Sequence, residues 1–325
     1  MAEFGINLPD ILEAHKLIKP YITRTPLLLW NRDIQSGKSL YLKLENVQTT
    51  GSFKIRGCAN KLKMLSDQEK QIGVITVSSG NHGRALAWMA AQTGIEAFIC
   101  VSSRTPPHKI EAIRQLGGNV VVEGDNFDQA EMNAYQLMRE KGLTYISSYD
   151  DPQIIAGQGT AVLEILEEYP EIDTILVPVG GGGLASGTAL AAKSVNSRIK
   201  VIGVSMDRAP VMYHSIKAGH PVQLEERSTI ADALKGGIGP DNQYTFKMCQ
   251  ALLDDFLVVP DEEIERGMAL LLKNQRLIVE GGGAVAMAAA LSFPRILGRN
   301  TAVLLTGSSV DIHSLYTIYN RYYPV

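Results

Sequence analysis

Short apolar runs alternate with amphipathic segments along most of this chain, and that alternation restricts its fold more than any other feature. IGVITVSS (72–79), EAFICVS (96–102), NVVVEG (119–124), TILVPVG (174–180), KVIGVS (200–205) and NTAVLLTG (300–307) read as buried strands that end at Gly or Ser. Between them, GRALAWMAAQTG (83–94), PHKIEAIRQLG (107–117) and DQAEMNAYQLMREKG (128–142) have helical spacing, and each closes on a glycine. Strand–helix–strand repetition predicts an α/β fold whose mainly parallel sheets are flanked by helices. Residues 72–150 read as one compact unit and 151–325 as a second, with no Pro/Ser/Gly linker and no sequence repeat. A substrate cleft between the two is the natural expectation.

The chain has 325 residues, which suggests two domains, because single cores stop growing at roughly 250–300 residues. A net charge of -3 with no block of like charge gives no footprint for nucleic acid or a membrane surface. Cys58, Cys100 and Cys249 lie far apart, so neither a disulfide framework nor a CxxC motif is present, which fits a reduced, cytoplasmic setting. The N-terminal stretch carries acids early and does not read as a secretory signal, and no apolar run reaches the ~18 residues of a membrane span.

Four motifs could carry chemistry. In Gly51-Ser52-Phe53-Lys54-Ile55-Arg56-Gly57 a lysine stands between two apolar residues. Apolar surroundings lower an ammonium's pKa, and a neutral amine attacks an aldehyde; an exposed Lys with its stem on apolar surface is the plainer reading of such a residue. Ser78-Ser79-Gly80-Asn81-His82-Gly83 joins a strand to a helix, a place suited either to an anion such as a carboxylate or simply to a helix cap. His82 has no second His at metal-ligand spacing. Gly180-Gly181-Gly182-Gly183-Leu184 follows another strand; it can present a nest of N–H groups to a phosphate, but lacks the Lys-Ser/Thr of a P-loop. Its loose match to a dinucleotide fingerprint is repeated at Gly281, Gly283 and Ala286, which shows how little that pattern specifies. Finally Thr306-Gly307-Ser308-Ser309 puts a hydroxyl just after a buried strand, as a plain turn would, and also as a neutral partner for a pyridine nitrogen would.

Together, and in this order, these motifs resemble the fold-type II pyridoxal-5′-phosphate (PLP) enzymes, the tryptophan synthase β family, and within it the threonine/serine dehydratase and serine racemase branch. Ala156-Gly157-Gln158-Gly159-Thr160 is a further shared block. The resemblance implies a discontinuous large PLP-binding domain (1–64 and 151–325) and a small mobile α/β domain (65–150). It implies that Lys54 carries PLP, Phe53 lies against the ring, Asn81 bonds the 3′-oxygen, and Gly180, Gly181, Gly182, Gly183 and Leu184 cradle the phosphate. Thr306 would face the ring nitrogen, and Glu280 would be an acid near the ring. Ser78, Ser79, Gly80, Asn81 and His82 would bind the substrate carboxylate, and Ser79 could reprotonate the opposite face. A homodimer is also implied.

The implied activity is β-elimination of water from a β-hydroxy amino acid, giving a 2-oxo acid and ammonia. Amino-acid racemisation and threo-3-hydroxyaspartate dehydration are alternatives, and a non-catalytic ligand-binding protein is a remote one. Where metal-binding relatives carry acids, this chain has Ser205 and Val211, so no metal is expected. Ala233 after Asp232, and Ser308-Ser309 in place of Gly-Asn, also depart from the branch. The chain ends at Val325 without the regulatory extension of biosynthetic threonine dehydratases, so isoleucine feedback is not expected. Gly236-Gly237-Ile238-Gly239-Pro240-Asp241-Asn242-Gln243-Tyr244-Thr245-Phe246, followed later by Val279-Glu280-Gly281-Gly282-Gly283-Ala284-Val285, is similar to the dehydratases of hydroxyectoine utilisation.

Overall fold

The computed structural model describes residues 4–30 and 36–324. Among the described residues, ten strands form two sheets. One contains β1 (Leu27–Leu29), β2 (Ser39–Lys43), β7 (Thr174–Pro178), β8 (Lys200–Met206), β9 (Asp255–Val259) and β10 (Asn300–Leu304), in the order β1-β2-β10-β7-β8-β9. The other contains β3 (Val74–Val77), β4 (Ala97–Val101), β5 (Asn119–Val122) and β6 (Thr144–Tyr145), in the order β5-β4-β3-β6. Every pair is parallel except β1 with β2.

Thirteen α-helices are formed by the described residues. In the first half they are α1 (Leu8–Ile18), α2 (Lys54–Met64), α3 (Asp67–Ile72), α4 (Asn81–Thr93), α5 (Pro107–Gln115) and α6 (Phe127–Lys141). In the second half they are α7 (Pro152–Glu168), α8 (Gly183–Val195), α9 (Val211–Ala218), α10 (Thr245–Leu252), α11 (Asp261–Gln275), α12 (Gly281–Ser292) and α13 (Ile312–Tyr322).

All six expected strands form, as β3, β4, β5, β7, β8 and β10. Apart from the partly exposed edge strand β5, their runs are continuously apolar because both sheet faces are covered. Ile175 and Val177 of β7 point into a core shared with α1, α7 and α8, while Leu176 between them points into a core shared with α11 and α12. The expected helices also form, and Gly94 and Gly142 end α4 and α6 in the left-handed conformation. β1, β2, β6 and β9 escaped the periodicity: two are only two or three residues long, and β2 ends in a lysine.

α2 lies between the two sheets. On one side Ile55, Cys58, Ala59 and Leu62 share a buried cluster with Val74, Leu86 and Ile99 of the four-stranded unit. On the other, the backbones of α2 and α7 nearly touch: a Cβ on Gly157 would stand 2.5 Å from the Arg56 carbonyl oxygen and 2.7 Å from Gly57 Cα. Charge completes that contact. Arg56, fully buried, donates through Nε and Nη2 to Glu45 at 2.8 Å each, and through Nη1 and Nη2 to Glu164 of α7 at 2.7 and 2.8 Å. Lys43, at the end of β2, donates to Glu164 at 2.6 Å and to the Thr25 carbonyl at 2.7 Å. Burial alone would raise the Glu164 carboxyl, but the Arg56 guanidinium holds it below the usual carboxylate range.

A methyl group at position 157 has no room unless α2 and α7 separate. Gly157→Ala is expected to destabilise the protein by about 1–3 kcal/mol, the usual cost of overpacking, seen as a lower denaturation midpoint with an unchanged slope. An unchanged midpoint would contradict this close packing.

Candidate active site

Lys54 is the first residue of α2 and is itself half-buried. Its Nζ donates to the Ser148 carbonyl at 2.7 Å and lies 5.2 Å from the centre of the Phe53 ring. Among the described residues, no carboxylate forms an ion pair with it. Burial therefore pulls the amine down to about 8, against weaker opposing effects of Cys58 and Glu280. A lysine at that value has a substantial neutral fraction near physiological pH and can act as nucleophile or base.

Loop contacts gather the other motifs around Lys54. The Phe53 N–H donates to the Thr306 carbonyl at 3.1 Å, and Ser52 forms an antiparallel bridge with Gly307. Thr306 is buried, and its hydroxyl donates to the Gly282 carbonyl at 3.4 Å. The Glu280 N–H donates to the Gly307 carbonyl, and a Cβ on Gly307 would stand 2.2 Å from Glu280 Oε1. Glu280 accepts from Asn81 Nδ2 at 2.6 Å and from the Ser309 N–H at 3.1 Å. Burial pushes its carboxyl up to about 7, with the Asp232 charge adding to the rise.

Asn81 opens α4, so its bond to Glu280 joins the four-stranded unit to the six-stranded sheet side. Its Oδ1 is buried without a partner. Ser78, Ser79 and Gly80 are half-buried before α4, which has no side-chain cap. The turn is tight: a Cβ on Gly83 would lie 2.2 Å from the Ser78 carbonyl oxygen.

The imidazole of His82 is turned away from this loop. Its Nε2 donates to the Ile146 carbonyl at 3.2 Å, and Nδ1 lies 3.5 Å from Cys58 Sγ. Burial, followed by the nearby Lys54 charge, lowers it to about 3, so it is neutral. Within the expected carboxylate loop, His82 can therefore offer its main-chain N–H, but no ring charge.

The glycine loop leads into α8. Gly182 has φ +90°, a conformation suited to glycine, and α8 has neither a side-chain cap nor an acid in its first turn. Added Cβ atoms would meet Tyr149 from Gly181 and Gly183, at 2.4 and 2.8 Å, and Leu234 from Gly180 at 3.0 Å. The loop is thus backed by protein on its Cβ side. Its N–H groups, placed at a helix N-terminus, suit a phosphate. Ser148 and Tyr149, which the sequence reading did not identify, are adjacent: one accepts from Lys54 and the other backs the glycine loop. No nearby signal marked them, since they lie far from both motifs in sequence.

These residues fit a phosphate-bearing aromatic aldehyde: a desolvated amine, an uncapped helix start, a buried amide with an unused oxygen, and a neutral hydroxyl. The family model described as pyridoxal-phosphate dependent enzyme matches residues 18–307. The chain belongs to this PLP-dependent family. An L-threonine ammonia-lyase of Thermotoga maritima is 38% identical over 317 residues, spanning 97% of this chain and 79% of that protein. A catabolic L-threonine dehydratase of Staphylococcus aureus is 40% identical over 314 residues, 94% of this chain and 90% of its own. Maize serine racemase superposes with a TM-score of 0.90 at 35% identity, covering 98% of both chains. PLP is accordingly the cofactor of this PLP enzyme, and its fold is the fold-type II α/β architecture expected from the motifs. Among the described residues, no helix is long and apolar enough to cross a membrane, and no group of three or more His, Cys, Asp or Glu side chains is arranged to hold a metal ion.

The depressed Lys54 value has a visible consequence. As pH rises the amine loses its proton earlier than a surface lysine, so PLP capture by the apoprotein should accelerate with pH, reach half its maximum near 8 and level off above that. Stopped-flow absorbance checks this; acceleration that continues to the ordinary lysine value of about 10.4 would contradict it.

Proposed function

We propose that this PLP enzyme is a lyase that eliminates water from a β-hydroxy amino acid to release an enamine, which tautomerises to an imine that water hydrolyses to a 2-oxo acid and ammonia. The observation that carries this reading is the Lys54 amine, desolvated to about 8 and bonded to a carbonyl oxygen rather than a carboxylate among the described residues. Similarity to an L-threonine ammonia-lyase and an L-threonine dehydratase supports the reaction class. Bound PLP supplies the electron sink for the pair released when the α-hydrogen is removed. Lys54 Nζ takes that α-proton. The main-chain N–H groups from Ser79 to His82 hold the substrate carboxylate, which fixes orientation rather than supplying chemistry. Thr306 offers a hydroxyl where a carboxylate would hold a proton on the ring nitrogen. The N–H groups of Gly181 to Leu184 take the phosphate, and Asn81 retains a free amide hydrogen for a ring oxygen.

The substrate falls among threonine, serine, threo-3-hydroxyaspartate and an amino acid derived from hydroxyectoine. The last rests on the stretch Gly236–Phe246. In the fold it is tied to the segment beside Lys54: Asp150 accepts from the N–H groups of Gln243, Tyr244 and Thr245 at 2.7, 3.0 and 2.9 Å. Differences in this stretch are therefore well placed to alter the pocket. Racemisation is the second reading, favoured by the likeness to maize serine racemase and by Ser79 next to the substrate loop.

Lys54→Ala should abolish the visible absorbance of the lysine–PLP linkage and lower ammonia release across these amino acids by many orders of magnitude. Retention of both would remove the proposal. In Ser79→Ala, elimination should persist while inversion, followed by chiral chromatography of recovered substrate, is lost; loss of both to the same degree would deny Ser79 a separate proton-donor role.

A further inference from the structure

We infer that the buried quartet Arg56, Glu45, Glu164 and Lys43 is a positioning device for the Lys54 amine. The inference rests on Lys54 being the reactive lysine, and concerns what fixes its place. All four side chains are at or near zero exposure, and their two positive and two negative charges cancel. The Thr25 hydroxyl donates to Glu45 Oε1 at 2.6 Å, and Arg56 Nη1 reaches Thr160 Oγ1 at 3.1 Å, so the polar groups are extensively paired. Stability alone is a weak reason for such an arrangement. Removing four charges from water is costly, and well-packed apolar side chains often serve a core as well or better. An Arg fork held by two carboxylates does supply a fixed distance and a fixed angle.

The quartet acts at the place where that geometry matters. Arg56 stands two residues after Lys54, in the first turn of α2. Glu45 follows β2, Lys43 belongs to β2, and Glu164 belongs to α7. The first turn of α2 is therefore bound both to an inner strand of the six-stranded sheet and to the helix against which it packs. The segment leading into α7 supplies the Lys54 acceptor, Ser148, and then Tyr149, whose ring backs Gly181 and whose main chain backs Gly183. The amine and the glycine loop are thus both referenced to α7, and the quartet locks α2 onto α7. None of the four touches Lys54 Nζ in the described bonds, so they act through backbone placement. Displacement of a reacting group by about 1 Å is enough to cost on the order of a hundredfold in rate.

Lys43→Met combined with Glu164→Gln keeps side-chain size and overall neutrality, and leaves the Arg56–Glu45 pair. The holoenzyme carrying both changes should unfold near the wild-type denaturant midpoint and bind PLP. It should lose at least about tenfold in kcat with KM changed far less, and its lysine–PLP absorbance band should shift. Wild-type kcat with a wild-type band in the folded double variant overturns the inference. If that variant does not fold, Thr25→Val decides: it keeps every charge and removes one hydrogen bond to Glu45. A several-fold fall in kcat at constant KM then supports positioning, and an unchanged kcat overturns it. Peptide mapping of borohydride-reduced wild-type enzyme separates the two levels. Label on another lysine would refute the functional reading itself; label on Lys54 with an unaffected double variant would refute only the positioning role.

Discussion

The contact between α2 and α7 is the constraint on which the site depends. Gly57 and Gly157 let the two backbones approach, and Arg56 and Glu164 bond directly across the seam. Lys54 stands at the start of one helix, and Ser148 and Tyr149 stand just before the other. A lysine on a flexible stem would lose much of its value as a catalyst if its Cα could drift. Here the stem begins from a turn that Arg56 ties to both Glu45 and Glu164.

Burial likewise sets the site's protonation. Burial lowers the Lys54 amine to about 8 and the His82 ring to about 3, and raises the Glu280 carboxyl to about 7. In each case the charged form is the one disfavoured. The result is an amine able to lose its proton, an imidazole that is purely a neutral brace, and a carboxyl that can share a proton near neutrality. Glu280 and Asn81 also connect the two sheet units, together with Arg84 Nη1 donating to the Ser309 hydroxyl at 3.2 Å and Lys109 pairing with Asp232 at 3.4 Å. The site is built at a seam, and its polar residues are part of what closes that seam.

Much of this was legible in the sequence because the signals were local. Six strands announced themselves as short apolar runs, and Lys54, the Ser78–His82 turn and the glycine loop were each contiguous motifs. What was missed depends on partners distant in sequence. Ser148 meets Lys54 across 94 positions, and Glu164 meets Arg56 across 108. Arg56 stood inside the lysine motif and Glu164 inside a nearly apolar helix; an isolated charge in such company was the available hint of a buried pair. β2 was overlooked because Lys43 reads as solvent-facing until its carboxylate partner is known. His82 was placed in the right turn, but the direction of its ring is set by Cys58 and by Ile146, which no local pattern reveals.

The central claim is that one particular amine meets the cofactor. Reducing the PLP-loaded enzyme with borohydride, digesting it and mapping the phosphopyridoxyl mass by tandem mass spectrometry tests it most directly. The account requires that mass on the peptide containing Phe53-Lys54-Ile55, at Lys54. Its appearance on Lys43, Lys61 or any other lysine, with Lys54 unmodified, would contradict the account.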